Sequence, residues 1–417
     1  MENYTNLLFV EIKGLSSYKD DVFTFDFLNK KNATFNDGEL KTIINNIYVP
    51  TVIGIIGSNA SGKTTAINIL KWIVDLYING KDVLQRIKDI TSTNSTLYVD
   101  VILARHEIFN HVANYKTTIK HDEDGLYIKD EAVYFKDLSS RFTRHSILDF
   151  DESYGTKFNR DIFKKLKLDG KTITDENILK SMVLQKTESI ARRFSSPDNI
   201  ASHFITALNK DKLPSFDTIS NKLIQYLDQS IKNIELIDTG NPKLDGSIYK
   251  ATFVDGREYI DTAQNLSRIL SSGTNRGIRL FMAAEQTLKT GGYLFVDEIE
   301  VSFHKTLVID LIKLFYSRQT NPFGSTLVLT THYTEIIDSI RRTDSIYLCN
   351  KCEKGKLELN SYSKYITRND IKKSDPYLAN LIEVPTTPSY EKFMLYRNTL
   401  IQELTRDKDN RVDSTQR

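Results

Sequence analysis

Gly57, Ser58, Asn59, Ala60, Ser61, Gly62, Lys63, Thr64 and Thr65 carry the clearest chemistry in the chain. The run matches G-x-x-x-x-G-K-[ST] in full. Its glycines let backbone N–H groups turn inward around an anion, and a helix starting there adds the positive end of its dipole. Lys63 can then reach the β- and γ-phosphates of a nucleotide, and Thr64 can set its hydroxyl on Mg²⁺. The binding residues read from this run are all nine, with ATP and Mg²⁺ as the expected ligands.

Two further stretches complete a hydrolytic set. "YLFVDEIE" ends a hydrophobic run in Asp297 and Glu298. The first carboxylate is placed to hold Mg²⁺ together with Thr64, and the second to orient and deprotonate a water. "LVLTTH" ends in His332, a strand-end imidazole within reach of a γ-phosphate. Between these stretches and the glycine-rich run lies "RILSSGTNRGIRL", where Ser271, Ser272 and Gly273 make a small polar turn that runs into a helix. Read plainly, that turn is a helix cap, with Ser272 capping the helix.

The elements that must hold these residues are legible around them. "YVPTVIGIIG" (48–57) is a continuous apolar run ending in glycine, the pattern of a buried central strand. "TTAINILKWIVDLY" comes next as a helix with a wide apolar face. "NLLFVEIKGL", "VFTFDFL" and the stretch 96–121 read as antiparallel strands, with "DEDGLYI" turning a hairpin. "GGYLFVDEIE" and "STLVLTTH" read as two more buried strands. Ser196-Pro197 reads as a helix start, and Ile219, Leu223, Leu227 and Ile231 recur at helical steps, so 150–233 is expected to be a helical arm. "IKNIELID" and the Asp255-Gly256 hairpin return to strand, and the chain ends in a charged, helical tail. The expected division is an ATPase lobe over 1–149, the helical insertion over 150–233, a second ATPase lobe over 234–365 and the tail over 366–417.

The order of these pieces resembles the ABC-type ATPase head, in its SMC-like and OLD-like branch. "LSSGT" (270–274) resembles the ABC signature loop. "SSGT…GGYLFVDEIE…SFHKTL…TTH" is most similar to the stand-alone AAA-type ATPases of bacterial anti-phage and abortive-infection systems, such as the Septu ATPase and the AriA subunit of PARIS. The likeness covers the glycine-rich region and 266–340, and not the arm or the tail. It implies an α/β fold: a P-loop ATPase head with a mixed central sheet plus antiparallel strands, a helical insertion and a helical C-terminal tail. It implies that two heads pair head-to-tail, each signature loop (Ser271, Ser272, Gly273) capping the γ-phosphate at the other's phosphate loop. It further implies a homodimer or higher homo-oligomer that senses a trigger and regulates an effector protein, a nuclease. The alternative is an SMC- or RecF-like ATPase of DNA maintenance, which leaves direct contact with DNA open.

Three departures from the ABC pattern stand out. Ala60 replaces a consensus glycine, neither Gln85 nor Gln185 has the setting of a glutamine loop, and His304 stands where transporter heads carry an aspartate. His304 reads equally as a residue of the dimer seam and as a packing residue. Arg276 and Arg279 read as surface salt-bridge residues, with phosphate contact across the seam as the other reading. Cys349 and Cys352 form one CxxC with no second pair, which argues against a structural zinc. With 417 residues, a formal charge of +2, 40% apolar residues and no run long enough for a bilayer, a soluble, cytoplasmic multi-lobed protein without membrane contact is expected.

Overall fold

The computed structural model describes residues 4–29, 38–92, 95–106, 110–150, 156–160, 184–194, 202–206, 216–237, 247–301, 303–352, 355–366, 368, 371–378 and 391–402. Ser196-Pro197 and the charged end of the tail lie outside them.

Two six-stranded sheets organise the chain. The antiparallel one is built from β1 (Tyr4–Lys13), β2 (Val22–Asp26), β6 (Leu97–His106), β7 (His111–Asp122), β8 (Gly125–Asp137) and β9 (Thr156–Asn159), in the order β2-β1-β6-β7-β8-β9. The central one has the order β10-β14-β15-β5-β16-β17. Its strands are β5 (Val52–Ile56), β10 (Ser202–Ile205), β14 (Tyr293–Val296), β15 (Thr326–Thr331), β16 (Ile346–Lys351) and β17 (Leu357–Ser361). All neighbours in it are parallel except β16 and β17, which form a hairpin. A small hairpin, β3 (Leu40–Ile44) with β4 (Ile47–Pro50), precedes β5. A three-stranded meander of β11 (Ile231–Ile237), β12 (Ile248–Phe253) and β13 (Glu258–Thr262) has its own core with Phe216, Ile224 and Leu266.

The side-chain period of two sorts β5 between two cores. Ile53 and Ile55 face the antiparallel sheet and α1 (Lys63–Ile73), alongside Phe295, Val328 and Tyr347. Val52 and Ile56 face the other way, onto α2 (Ser272–Thr290) and α3 (Lys305–Tyr316), with Leu294, Leu327 and Leu348. A strand apolar on both faces is what a parallel sheet with two covered faces requires. This is the mixed α/β architecture of a P-loop ATPase head.

The structure refines several expectations. The apolar run 48–57 is two strands, because the chain leaves the β3–β4 hairpin at Thr51, whose hydroxyl is held by the Gly38 carbonyl at 2.7 Å. Ile231 is not the last step of a helix. The helix Asn221–Leu227 stops at Asp228, whose carboxylate takes the Ser230 N–H at 3.1 Å and turns the chain into β11. The expected helical arm has short helices at Ala191–Phe194 and Asn221–Leu227, yet β9 and β10 within it join the edges of the two large sheets. The tail is helical over 391–402.

Tyr293 on β14 ties the sheets together. Its buried hydroxyl accepts from the Leu7 N–H at 2.8 Å, beside the β-bulge where the register of β1 against β6 shifts between Leu7 and Phe9. Tyr293→Phe keeps the ring and strands that N–H, so it is expected to destabilise the chain by about 1–3 kcal/mol. A lower denaturant midpoint with unchanged slope checks this, and an unchanged midpoint refutes it.

Candidate active site

The glycine-rich run lies between β5 and α1, as its pattern requires. Gly62 caps α1 with φ 99°, and Ala60 also has a positive φ, 60°, which accounts for glycine at that place in the ABC consensus. A Cβ on Gly57 would stand 2.3 Å from the Cys349 carbonyl, so the loop is packed directly beneath β16. Lys63 is buried, and its Nζ donates to the carbonyls of Gly57 and Ser58 at 2.9 and 2.8 Å. Burial holds its ammonium below the ordinary lysine range, against the pull of Glu300, Asp297 and Glu298.

Asp297 meets this loop. Its Oδ2 accepts from the Thr64 hydroxyl at 2.8 Å, and its Oδ1 accepts from the Thr330 hydroxyl at 2.5 Å. The Thr330 oxygen in turn takes the Glu298 N–H at 2.8 Å. Glu298 sits at φ 49°, a left-handed conformation that costs a residue with a side chain about 1 kcal/mol or more. A cavity of 630 Å³ opens over the loop, lined by Asn59 to Thr65, Glu298, Ser16 and Ser17, with Lys351, Gly355, Lys356 and Leu357 of the β16–β17 hairpin. Among the described lining residues Lys63 and Lys351 accompany one carboxylate, Glu298, while Lys356 is paired with Asp21 at 2.8 Å, a balance that suits a polyphosphate. The residues thus fit ATP and Mg²⁺: a glycine that no side chain can replace without collision, a buried lysine, and a hydroxyl–carboxylate pair at one point.

His332 is one step removed. Its backbone N–H donates to Glu300 Oε1 at 3.0 Å, its ring Nδ1 lies against the same carboxylate, and it is not among the cavity-lining residues. Ser271, Ser272 and Gly273 are likewise absent from the lining. It is Ser271, not Ser272, that caps α2, its hydroxyl accepting from the Thr274 N–H at 2.9 Å, while both serines are exposed. His304 is also a cap, its ring nitrogen taking the Thr306 N–H at the start of α3. Gln85 latches the β7–β8 turn through both backbone groups of Leu126.

Several residues here escape the sequence reading. Glu300, Thr330, Lys351 and Lys356 are single polar residues within apolar or charged stretches, and only the strand pairing brings them to the site. Arg276 is buried at 6% exposure, with its guanidinium 5.0 Å from the Phe303 ring centre. Its Nε and Nη2 have no hydrogen-bond partner among the described residues, which corrects the expectation of a surface salt bridge. Burial and Arg279 hold its charge down, while Glu298 and Glu300 favour it. Cys349 is buried and its thiol is pushed up to about 12, so it stays protonated beside the loop. No group of three or more His, Cys, Asp or Glu placed to hold a metal occurs among the described residues. None of their helices is long and apolar enough to cross a membrane.

The family described as "AAA domain, putative AbiEii toxin, Type IV TA system" matches residues 52–338, more than half of the chain. No curated protein matches the sequence. Among solved structures the chain is similar to the recombination mediator protein RecF with ATP, at 11% identity over 86% of this chain and 100% of that one, with a TM-score of 0.36. RecF with ATPrS gives 13% identity over 85% and 98%, also at 0.36.

Arg276→Met keeps a long side chain against Phe303 and removes a buried charge. It is expected to leave stability unchanged or raise it by about 1–4 kcal/mol. A fall in melting temperature would mean that the guanidinium has a partner worth more than its desolvation.

Proposed function

The chain belongs to that family of AAA domains, and from this premise we propose that it binds ATP with Mg²⁺, hydrolyses it at sites shared between two copies, and uses the cycle to regulate an effector protein. The observation that carries the ATPase reading is the Thr64–Asp297 hydrogen bond of 2.8 Å, which joins the phosphate-loop hydroxyl to the acidic strand end. These two groups would hold Mg²⁺, which supplies charge neutralisation on the phosphates when bound.

The other roles rest on position. Lys63 would leave the Gly57 and Ser58 carbonyls to pair with the β- and γ-phosphates, while the amides from Gly57 to Thr65 enclose them. Glu298 lines the cavity with its backbone fixed by Thr330, and would orient a water and take its proton. His332, steadied by Glu300, is proposed as a γ-phosphate contact. Ser271 and Ser272, both exposed, and the half-buried Gly273 lie outside their own chain's cavity and are proposed to reach the phosphate of a second copy. That arrangement makes the homodimer or a larger homo-oligomer the active form.

The effector reading is supported by the family description, which names a toxin and a toxin–antitoxin system, and by the resemblance of the motifs to defence ATPases. A nuclease held and released by the ATP cycle in anti-phage defence is the proposed effector, in the cytoplasm.

The test is native mass of the purified chain with ATP and Mg²⁺, with phosphate release measured in parallel. Glu298→Gln is expected to lower phosphate release by about 10²–10⁴-fold and to accumulate as a dimer or larger species. Lys63→Ala should also lose phosphate release but stay monomeric, because it fails to bind the nucleotide. If both the wild type and Glu298→Gln stay monomeric while the wild type turns over, the Ser271 turn is a helix cap only and the shared-site reading is lost. Duplex DNA in the same assay addresses the SMC- or RecF-like alternative, which requires stimulation that weakens steeply with salt.

A further inference from the structure

A second cavity, of 540 Å³, lies between α1 and β10, and its lining includes Asn68, Lys71, Trp72, Arg86, His203 and Phe204. It shares no lining residue with the cavity over the phosphate loop. Its volume is in the range of sites for small organic ligands.

Polar groups at this cavity lack partners. Trp72 is 2% exposed, and its Nε1 has no hydrogen-bond partner among the described residues. An indole N–H can only donate, so it calls for an acceptor, and leaving it without one costs about 1–3 kcal/mol. Ser202 Oγ and His203 Nε2 are buried and unsatisfied in the same way.

Charge points in the same direction. The buried carboxylate of Asp75 is shared by three cations: Lys71, Lys81 at 3.2 Å and Arg86 at 3.0 Å. One carboxylate cannot neutralise three cations, and Asp89 is the one acid among the described residues of the lining. The surplus at the mouth is therefore positive. Burial and the field of Lys71 and Lys81 hold His203 below its ordinary range, against a hydrogen bond with Gln286, and its Nε2 is left without a partner among the described residues. Ile87, Ile90 and Phe204 add an apolar wall.

We propose that this cavity is a second ligand site, for a small aromatic anion whose charged group meets Lys71 and Arg86 and whose acceptor atom takes the Trp72 N–H. Its walls are the elements of the ATP site. α1 begins at Lys63, and β10 pairs with β14, whose end carries Asp297 with its N–H on the Ile205 carbonyl at 2.9 Å. An occupant touches both. Any influence on turnover rests on the ATPase reading, whereas occupancy does not.

Trp72 is the one tryptophan of the chain, so energy transfer from it reports occupancy directly. The full chain titrated with 8-anilinonaphthalene-1-sulfonate is expected to show saturable transfer, displaced by adenosine monophosphate if the natural occupant is phosphorylated or by benzoate if it is a carboxylate. Arg86 is 62% exposed, so Arg86→Ala should fold normally, which its melting temperature checks. It should weaken the probe about tenfold, the loss of one charge-assisted contact. Lys63→Ala should leave the probe's affinity unchanged. The proposal is overturned if transfer does not saturate, if Arg86→Ala leaves the affinity unchanged, or if Lys63→Ala removes binding, which would place the probe in the phosphate loop.

Discussion

The Asp297 carboxylate is the point on which the site depends. It is buried, and a buried charge is tolerated only where its oxygens are hydrogen-bonded. Here one oxygen is held by Thr64 from the start of α1 and the other by Thr330 from β15. Three elements far apart in sequence are thereby brought to one register. The same Thr330 hydroxyl fixes the backbone of Glu298, and two residues further on His332 is tied to Glu300. A small network of hydroxyls and carboxylates, each satisfied by the next, sets the geometry that the proposed chemistry needs.

Parallel strands made much of this legible. β5, β14 and β15 are covered on both faces, so each appears in the sequence as an unbroken apolar run with polar residues at its carboxyl end. The glycine-rich loop, the acidic pair and the terminal histidine could be found because each stands directly after such a run. Less legible were β9 and β10, four residues each, too short to show a period and defined by partners distant in sequence. The helical spacing that continued to Ile231 was a coincidence of apolar residues, broken by an aspartate turn. The burial of Arg276 could not be read either, because arginine at a helix start is ordinary on a surface and only Phe303 makes it a core residue here.

The β16–β17 hairpin gives the CxxC a structural meaning. Cys349 faces the first core, its carbonyl fills the space that a side chain at Gly57 would need, and Leu357 packs over Gly62. Cys352 bonds the Lys356 carbonyl within the turn. Small apolar-tolerant thiols fit a roof this close to a loop, and the lysines around them supply the cavity with positive charge.

The left-handed backbone of Glu298 also bears on how such a chain can drift. Glycine or asparagine would sit at that position with less strain, so the residue proposed to activate water is also one that folding alone would replace. A change to glycine or asparagine there would relieve strain and, on the proposed reading, lose turnover in the same step. A lineage no longer selected for hydrolysis would slide easily into a nucleotide-binding scaffold with an intact fold.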